Sequence, residues 1–287
     1  MGIKFGSAGN PDRFYNEGHK ASSEMPAWLK ANGLTAYEYQ CGNGVRITDA
    51  TARVLGDAAR EAGIALSLHS PYYISLSSVE EEKRVKSVDY ILQSLKAADA
   101  MGATRVVVHS GSCAKIDRAT ALAYAKETIR MALSAADEAG LGHIAICPET
   151  MGKINQLGTL EEVLELCLLD ERMLPTIDFG HIYARTLGGL TAVEHFAALL
   201  EQLENALGWE RARQFHCHFS PIEFTNAGEK KHLTFAQKEF GPDFAPLAEL
   251  LSKRDWCPTI ISESAGTQAD DAMLMRDLYL RAKGGAQ

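Results

Sequence analysis

The sequence predicts an α/β fold, a single (β/α)8 barrel spanning residues 1–287 as one domain, on three observations. Short apolar runs alternate with longer amphipathic stretches, the pattern of strands alternating with helices. Such alternation implies a parallel sheet, because parallel neighbours need crossover connections. The alternation recurs eight times, which suits a closed barrel of this length; a doubly wound open sheet is the alternative. No linker, low-complexity segment or internal repeat divides the chain.

In order, the first strand is Ile3–Ser7 and the second Ala36–Gln40, followed by a helix over Thr48–Ala62. Ile64–His69 and its helix Glu80–Met101 come next, then Arg105–Ser110 with Asp117–Ala139, and His143–Glu149 with Thr159–Leu169. Leu174–Phe179 precedes the helix Thr191–Leu207; Arg213–Phe219 is the seventh strand, and Thr259–Glu263 the eighth, before the helix Ala269–Ala282. Gly63, Gly102 and Gly140 close helices where the left-handed cap costs glycine little. The stretch Ser220–Pro242 is too long for an ordinary connection and reads as a functional loop.

Composition bounds the function. Hydrophobic residues make up 46% and charged residues 23%, as in a globular protein with ample core. No apolar run is long enough to span a membrane. The start MGIKFGSAGNP lacks the basic and apolar regions of a signal peptide, and the six cysteines are scattered without a CxxC pair. Reduced thiols in a cytoplasmic monomer are the expectation. The formal net charge of −8 argues against broad affinity for nucleic acid, although bound divalent cations would offset part of it.

Histidines and carboxylates gather where the strands end. His69 closes strand three, His109 strand four and Glu149 strand five; Asp178 closes strand six, with His181 just beyond. His216 and His218 end strand seven, His232 sits in the long loop, and Glu263 closes strand eight. In a barrel these ends converge on one mouth, where active sites lie. Convergent carboxylates and imidazoles would repel or desolvate one another unless a cation held them. His19, His143 and His195 fall elsewhere and read as structural. Imidazole and carboxylate without thiolate suit zinc, manganese or iron better than magnesium or calcium. The donors exceed what one ion needs, so two or three ions sharing a bridging carboxylate are expected. Clustered divalent ions suit phosphate-ester hydrolysis, since they generate hydroxide near neutral pH and stabilise the attacking and leaving oxygens.

The ordered segments HSPYYISLSS, VVVHSGS, PETMGK, IDFGH, HCHFSPIEF and GEKKHL resemble the signatures of the endonuclease IV family, zinc-dependent apurinic/apyrimidinic endonucleases on a TIM barrel, and of its archaeal-type branch above all. The likeness runs from KFGSAGNP to ISESAG, essentially the whole chain. It implies hydrolysis of double-stranded DNA 5′ to an abasic site by two or three Zn2+ ions, with Mn2+ as an alternative metal. His69 and His109 would hold one ion, and Glu149 would bridge it to a second held by Asp178, His216 and Glu263. His181 and His232 would hold the third. Glu149 and Glu263 would be catalytic, Tyr72 would approach the substrate, and Arg46 in QCGNGVRIT would reach into the DNA.

Three positions depart from the family pattern. Ser110 replaces a proline, SAG follows Glu263 in place of TPN or SPN, and Lys230 stands where an aspartate completes the third site. Glu229 would serve there if the loop bulges by one residue; otherwise Lys230 would turn outward. His218 is expected behind the ligands or as an auxiliary one. The alternative reading is a sugar isomerase or epimerase on the same barrel, acting on a small sugar with one divalent ion held by Glu149, Asp178, His216 and Glu263. That reading leaves His69, His109, His181 and His232 unexplained.

Overall fold

Alternation along each strand decides how this chain folds. Phe5, Tyr37, Leu68, Val106, Ile146 and Ile260 point outward into one continuous apolar core shared with the helices. Their strand neighbours point inward, to the axis of a closed barrel. The computed structural model describes residues 2–285. Its strands are β1 (Lys4–Ala8), β2 (Ala36–Gln40), β3 (Ala65–His69), β4 (Arg105–His109), β5 (Ala145–Glu149), β6 (Thr176–Asp178) and β7 (His216–Phe219). A hairpin of β8 (Ile222–Thr225) and β9 (Gly228–His232) precedes the last barrel strand, β10 (Thr259–Ser262). The barrel runs β1-β2-β3-β4-β5-β6-β7-β10 and closes back on β1, with every pair parallel. The closed barrel is the predicted one; the open sheet is not formed.

Long helices cover the outside, at Asp49–Ala62, Glu81–Met101, Arg118–Glu138, Val193–Leu207 and Gln268–Gly285. The connections also carry helices at Met25–Ala31, Leu160–Cys167 and Ala245–Lys253. Burying one large apolar side chain is worth roughly 1.5–3 kcal/mol, so this outer shell holds the fold together. The inner layer is free to be polar. Glu38, Ser67, Glu149, Thr176, Asp178, His216 and His218 are all buried.

Several strand limits move inward from their predicted places. His143 lies outside β5, exposed and paired with Asp99 at 3.1 Å. Arg213–Phe215 is a turn closing a short helix, Trp209–Ala212, and Phe215 N–H donates to the Ala212 carbonyl. Phe179 leaves β6 to start a helix, because the Asp178 carboxylate caps that helix by accepting from His181 N–H at 2.7 Å. The long loop is no loop at its centre, since β8 and β9 pair antiparallel within it. No described helix is long and apolar enough to cross a membrane.

Candidate metal centre

Register sets the depth of each side chain at the barrel mouth. His109 lies beside Glu149 across β4 and β5, and Asp178 lies beside His218 across β6 and β7. His216 is in register with Thr176 instead, two residues deeper and so about 6.6 Å below the mouth at ~3.3 Å per residue. His216 thus stands apart from Asp178 and Glu263, with which the resemblance grouped it, and falls in a group with Glu38 and His218 instead. His216 and His218 do share a face, but only His218 reaches the upper layer. His216 donates from Nε2 to Glu38 Oε2 at 2.8 Å and does not approach Asp178 or Glu263.

Five overlapping groups of potential ligands result. Glu38, His216 and His218 form one, and His69, His218 and Glu263 another. Three more gather around Glu149 and the β8–β9 hairpin. In the first, His69 Nε2 and His109 Nε2 both stand 3.4 Å from Glu149 Oε2. In the second, Glu149, Asp178 and Glu263 surround His218, whose Nδ1 is 2.9 Å from Glu149 Oε1 and 3.5 Å from Glu263 Oε1. In the third, Glu229 lies between His181 Nε2 at 3.5 Å and His232 Nε2 at 4.0 Å. Glu149 is common to the first two groups.

A β-bulge explains the third group. Glu223 pairs with Lys231 but Phe224 pairs with Glu229, which leaves Lys230 as the extra residue of β9. The bulge turns Glu229 onto the face of His232, and Lys230 turns outward to Glu223. Gly152 permits this approach: a Cβ there would lie 2.6 Å from the Cβ of Glu229 and 3.0 Å from the His181 ring. Gly228, with φ +91°, likewise lets β9 pass the Gly152 carbonyl. The segment that carries Gly152 is held by two arginines. Arg185 donates to the carbonyls of Met151, Lys153 and Gln156, while Arg118 donates to those of Ile154 and Gln156 and to Glu162.

The donor set fits a cation. His69 Nδ1–H donates to the Ser70 carbonyl at 2.8 Å, and His181 Nδ1–H to the Thr150 carbonyl at 2.8 Å. A carbonyl can only accept, so in a neutral ring Nε2 is left with a lone pair facing the carboxylates. His232 Nδ1 is likewise tied to Ser220 Oγ. Glu149 Oε2 and Asp178 Oδ2 are buried without a hydrogen-bond partner. An unpaired buried carboxylate oxygen costs several kcal/mol, and a divalent ion would remove that cost.

The titration behaviour follows from the same crowding. Burial raises the Glu149 carboxyl, but His218, His69 and His109 outweigh it and hold it well below the usual range. Burial lowers His69, yet Glu149 brings it up to about 9; Asp178 and Glu229 likewise overcome burial to bring His181 up to about 9. Burial wins at His109, pushed down to about 3, and at Glu263, whose carboxyl is raised.

An open cavity of about 260 Å3 lies over these groups, lined also by Tyr72, Met151, Lys153 and Gln156. Tyr72 is 61% exposed at its rim. Arg46 is exposed on the loop after β2 and does not line the cavity. Ser110 donates its hydroxyl to the Glu149 carbonyl at 2.7 Å, tying β4 to β5 where a proline could not. Glu38, which contacts both His216 and His218, was not singled out from the sequence. Its signal is a lone carboxylate at an inward position between Tyr37 and Tyr39.

The profile of the xylose isomerase-like TIM barrel family matches residues 26–278. An uncharacterized protein of Methanocaldococcus jannaschii is 32% identical over 274 residues, 95% of each chain. A probable endonuclease 4 of Thermoplasma acidophilum is 26% identical over 216 residues, 72% of this chain and 73% of that protein. Among solved structures, a D-tagatose 3-epimerase-like protein superposes with TM-score 0.74 at 19% identity, covering 99% of both chains. Endonuclease IV from Thermus thermophilus superposes with TM-score 0.71 at 19% identity, covering 98% of this chain and 99% of that one.

Proposed function

The chain belongs to the xylose isomerase-like TIM barrel family, and within that family we propose a metal-dependent phosphodiesterase that cuts double-stranded DNA on the 5′ side of an abasic site. One observation carries the reading: His69, His109, His181, Glu229 and His232 line one cavity directly above the group of Glu149, Asp178, His218 and Glu263. A single-ion isomerase needs only Glu149, Asp178, His218 and Glu263. It gives no employment to His69, His109, His181, Glu229 and His232. The probable endonuclease 4 relatives support the same reading.

Two or three zinc ions, with manganese as the alternative, would supply a hydroxide nucleophile near neutral pH and neutralise charge on the phosphate. His69, His109 and Glu149 would hold the first ion, Glu149, Asp178, His218 and Glu263 the second, and His181, Glu229 and His232 the third. Lys153 is the one lysine among the residues lining the cavity, and its ammonium suits a phosphate oxygen. Tyr72 would pack against the nucleotide entering the cavity, and Arg46 would contact the duplex from its exposed loop. The cavity is open to solvent, so a nucleotide turned out of a duplex can enter it. An abasic nucleotide has no base to unstack, so turning it inward is comparatively cheap.

The second reading, a sugar epimerase or isomerase, draws on the fold neighbour and on the four-residue group around His218. One experiment separates them. A duplex carrying a single abasic analogue should be nicked 5′ to the lesion without added magnesium, leaving a 3′ hydroxyl. Chelation should abolish the nick and zinc should restore it. An intact duplex, together with divalent-ion-dependent interconversion of ketoses, would establish the second reading instead.

A further inference from the structure

Beneath the cavity lies a charged group for which the proposed chemistry has no use. Glu38 sits at the middle of β2, and its side chain is wholly buried on the barrel axis. Burying a carboxylate there costs several kcal/mol unless it is fully hydrogen-bonded. It is. His216 Nε2–H donates to Oε2 at 2.8 Å, and the Ser67 hydroxyl donates to the same oxygen at 2.8 Å. Gln40 Nε2 donates to Oε1 at 3.1 Å, and His218 Nε2 stands 2.9 Å from Oε1. Two of these groups, His216 and Ser67, are buried below the cavity and absent from its lining.

We propose that Glu38, braced by His216 and Ser67, is a positioning residue that fixes the ring and the tautomer of His218 for metal binding. His218 Nδ1 is hydrogen-bonded to Glu149 Oε1 at 2.9 Å, while Nε2 stands 2.9 Å from Glu38 Oε1 without a hydrogen bond of its own. A cation on Nδ1 would displace the proton there and leave the ring's one N–H on Nε2, beside a carboxylate that can only accept. That Nδ1 faces Glu149 at 2.9 Å and Glu263 at 3.5 Å. The ring is thus held between a carboxylate below and the ligand group above. A carboxylate behind a histidine both orients it and makes it a stronger donor. His216 completes the device by occupying the second oxygen of Glu38, which keeps the carboxylate from turning away from His218. The inference rests on the metal-centre reading, but not on DNA being the substrate.

The test is zinc binding by the full chain in competition with a chromogenic chelator, joined by the visible spectrum of the cobalt-substituted protein. Glu38→Gln keeps the shape but can accept on one oxygen only and offers an N–H toward the other imidazole. Affinity for the equivalent that His218→Ala abolishes should fall roughly tenfold to a hundredfold. The remaining equivalents should hold, and the cobalt d–d bands of that site should shift. His216→Gln should weaken the same equivalent by a smaller factor, and it decides the matter if Glu38→Gln does not fold. A folded variant with unchanged affinity and an unchanged cobalt spectrum would overturn the proposal. A wild-type chain that binds no metal would overturn this inference and the metal centre together. Normal metal binding without DNA cleavage would count against the phosphodiesterase alone.

Discussion

Single side chains define the candidate metal centre, and one substitution and one comparison of neighbouring residues test their assignment. Glu149 joins two ligand groups, and its Oε2 lacks a hydrogen-bond partner. Glu149→Gln should fold, yet lose metal, with activity falling on the order of 10³-fold, the scale of removing one well-placed charge-stabilising group. Retained metal with near-normal cleavage would refute the shared role. The bulge in β9 makes a finer distinction. Glu229→Ala should remove one zinc equivalent, whereas Lys230→Ala, whose ammonium pairs with Glu223 outside the cavity, should leave the metal content intact. Metal analysis of the two purified variants reads this directly. Much at this scale was legible, because a histidine or carboxylate ending an apolar run is conspicuous. The depth of His216 against His218 was not. Two residues on one face differ only in register with neighbouring strands, and register is a property of the sheet. Glu38 escaped for a related reason: one carboxylate in a five-residue strand resembles an outward polar position until the barrel closes around it.

At the scale of elements, the site depends on a segment and a hairpin pressed together. Gly152 meets Glu229 and His181, and Ile154 N–H donates to the Ala227 carbonyl at 3.1 Å. Gly152→Ala would force β9 away. We expect a loss of about 1–3 kcal/mol, the usual range for overpacking, together with the third metal equivalent, measured by denaturant unfolding and metal analysis of one preparation. Unchanged metal content would separate the hairpin from the site. Glu162 anchors the base of the same segment. Burial raises its carboxyl, but Arg118 and the N–H groups of Gly158 and Thr159 outweigh burial and lower it below 4.5. Its stabilising contribution is therefore present above about pH 4.5 and is lost as pH falls through the lowered value. Glu162→Gln should be less stable than the parent at neutral pH and approach it in acid. A gap that is constant across the pH range would contradict this. The hairpin itself was hidden in the sequence, since GEKKH has neither clean alternation nor the commonest two-residue turn. The barrel strands were plain because their outward residues feed one core.

On the scale of the whole molecule, an acidic chain would meet a polyanionic substrate under the proposed function. Net charge −8 would repel DNA unless cations gathered where a duplex would dock, and ions held by the ligand groups would put divalent charge at one mouth of the barrel. Zinc should therefore raise the unfolding temperature, since it binds the folded mouth and not the scattered ligands of the unfolded chain. Chelation should reverse that rise and weaken DNA binding in the same titration; a melting temperature indifferent to both would deny the metal any structural part. The most direct test is the metal content of protein purified without added metal, counted by elemental mass spectrometry. Two or three zinc ions per chain are expected, with one lost in Glu229→Ala. A single manganese or cobalt ion, unaffected by that substitution, would contradict this.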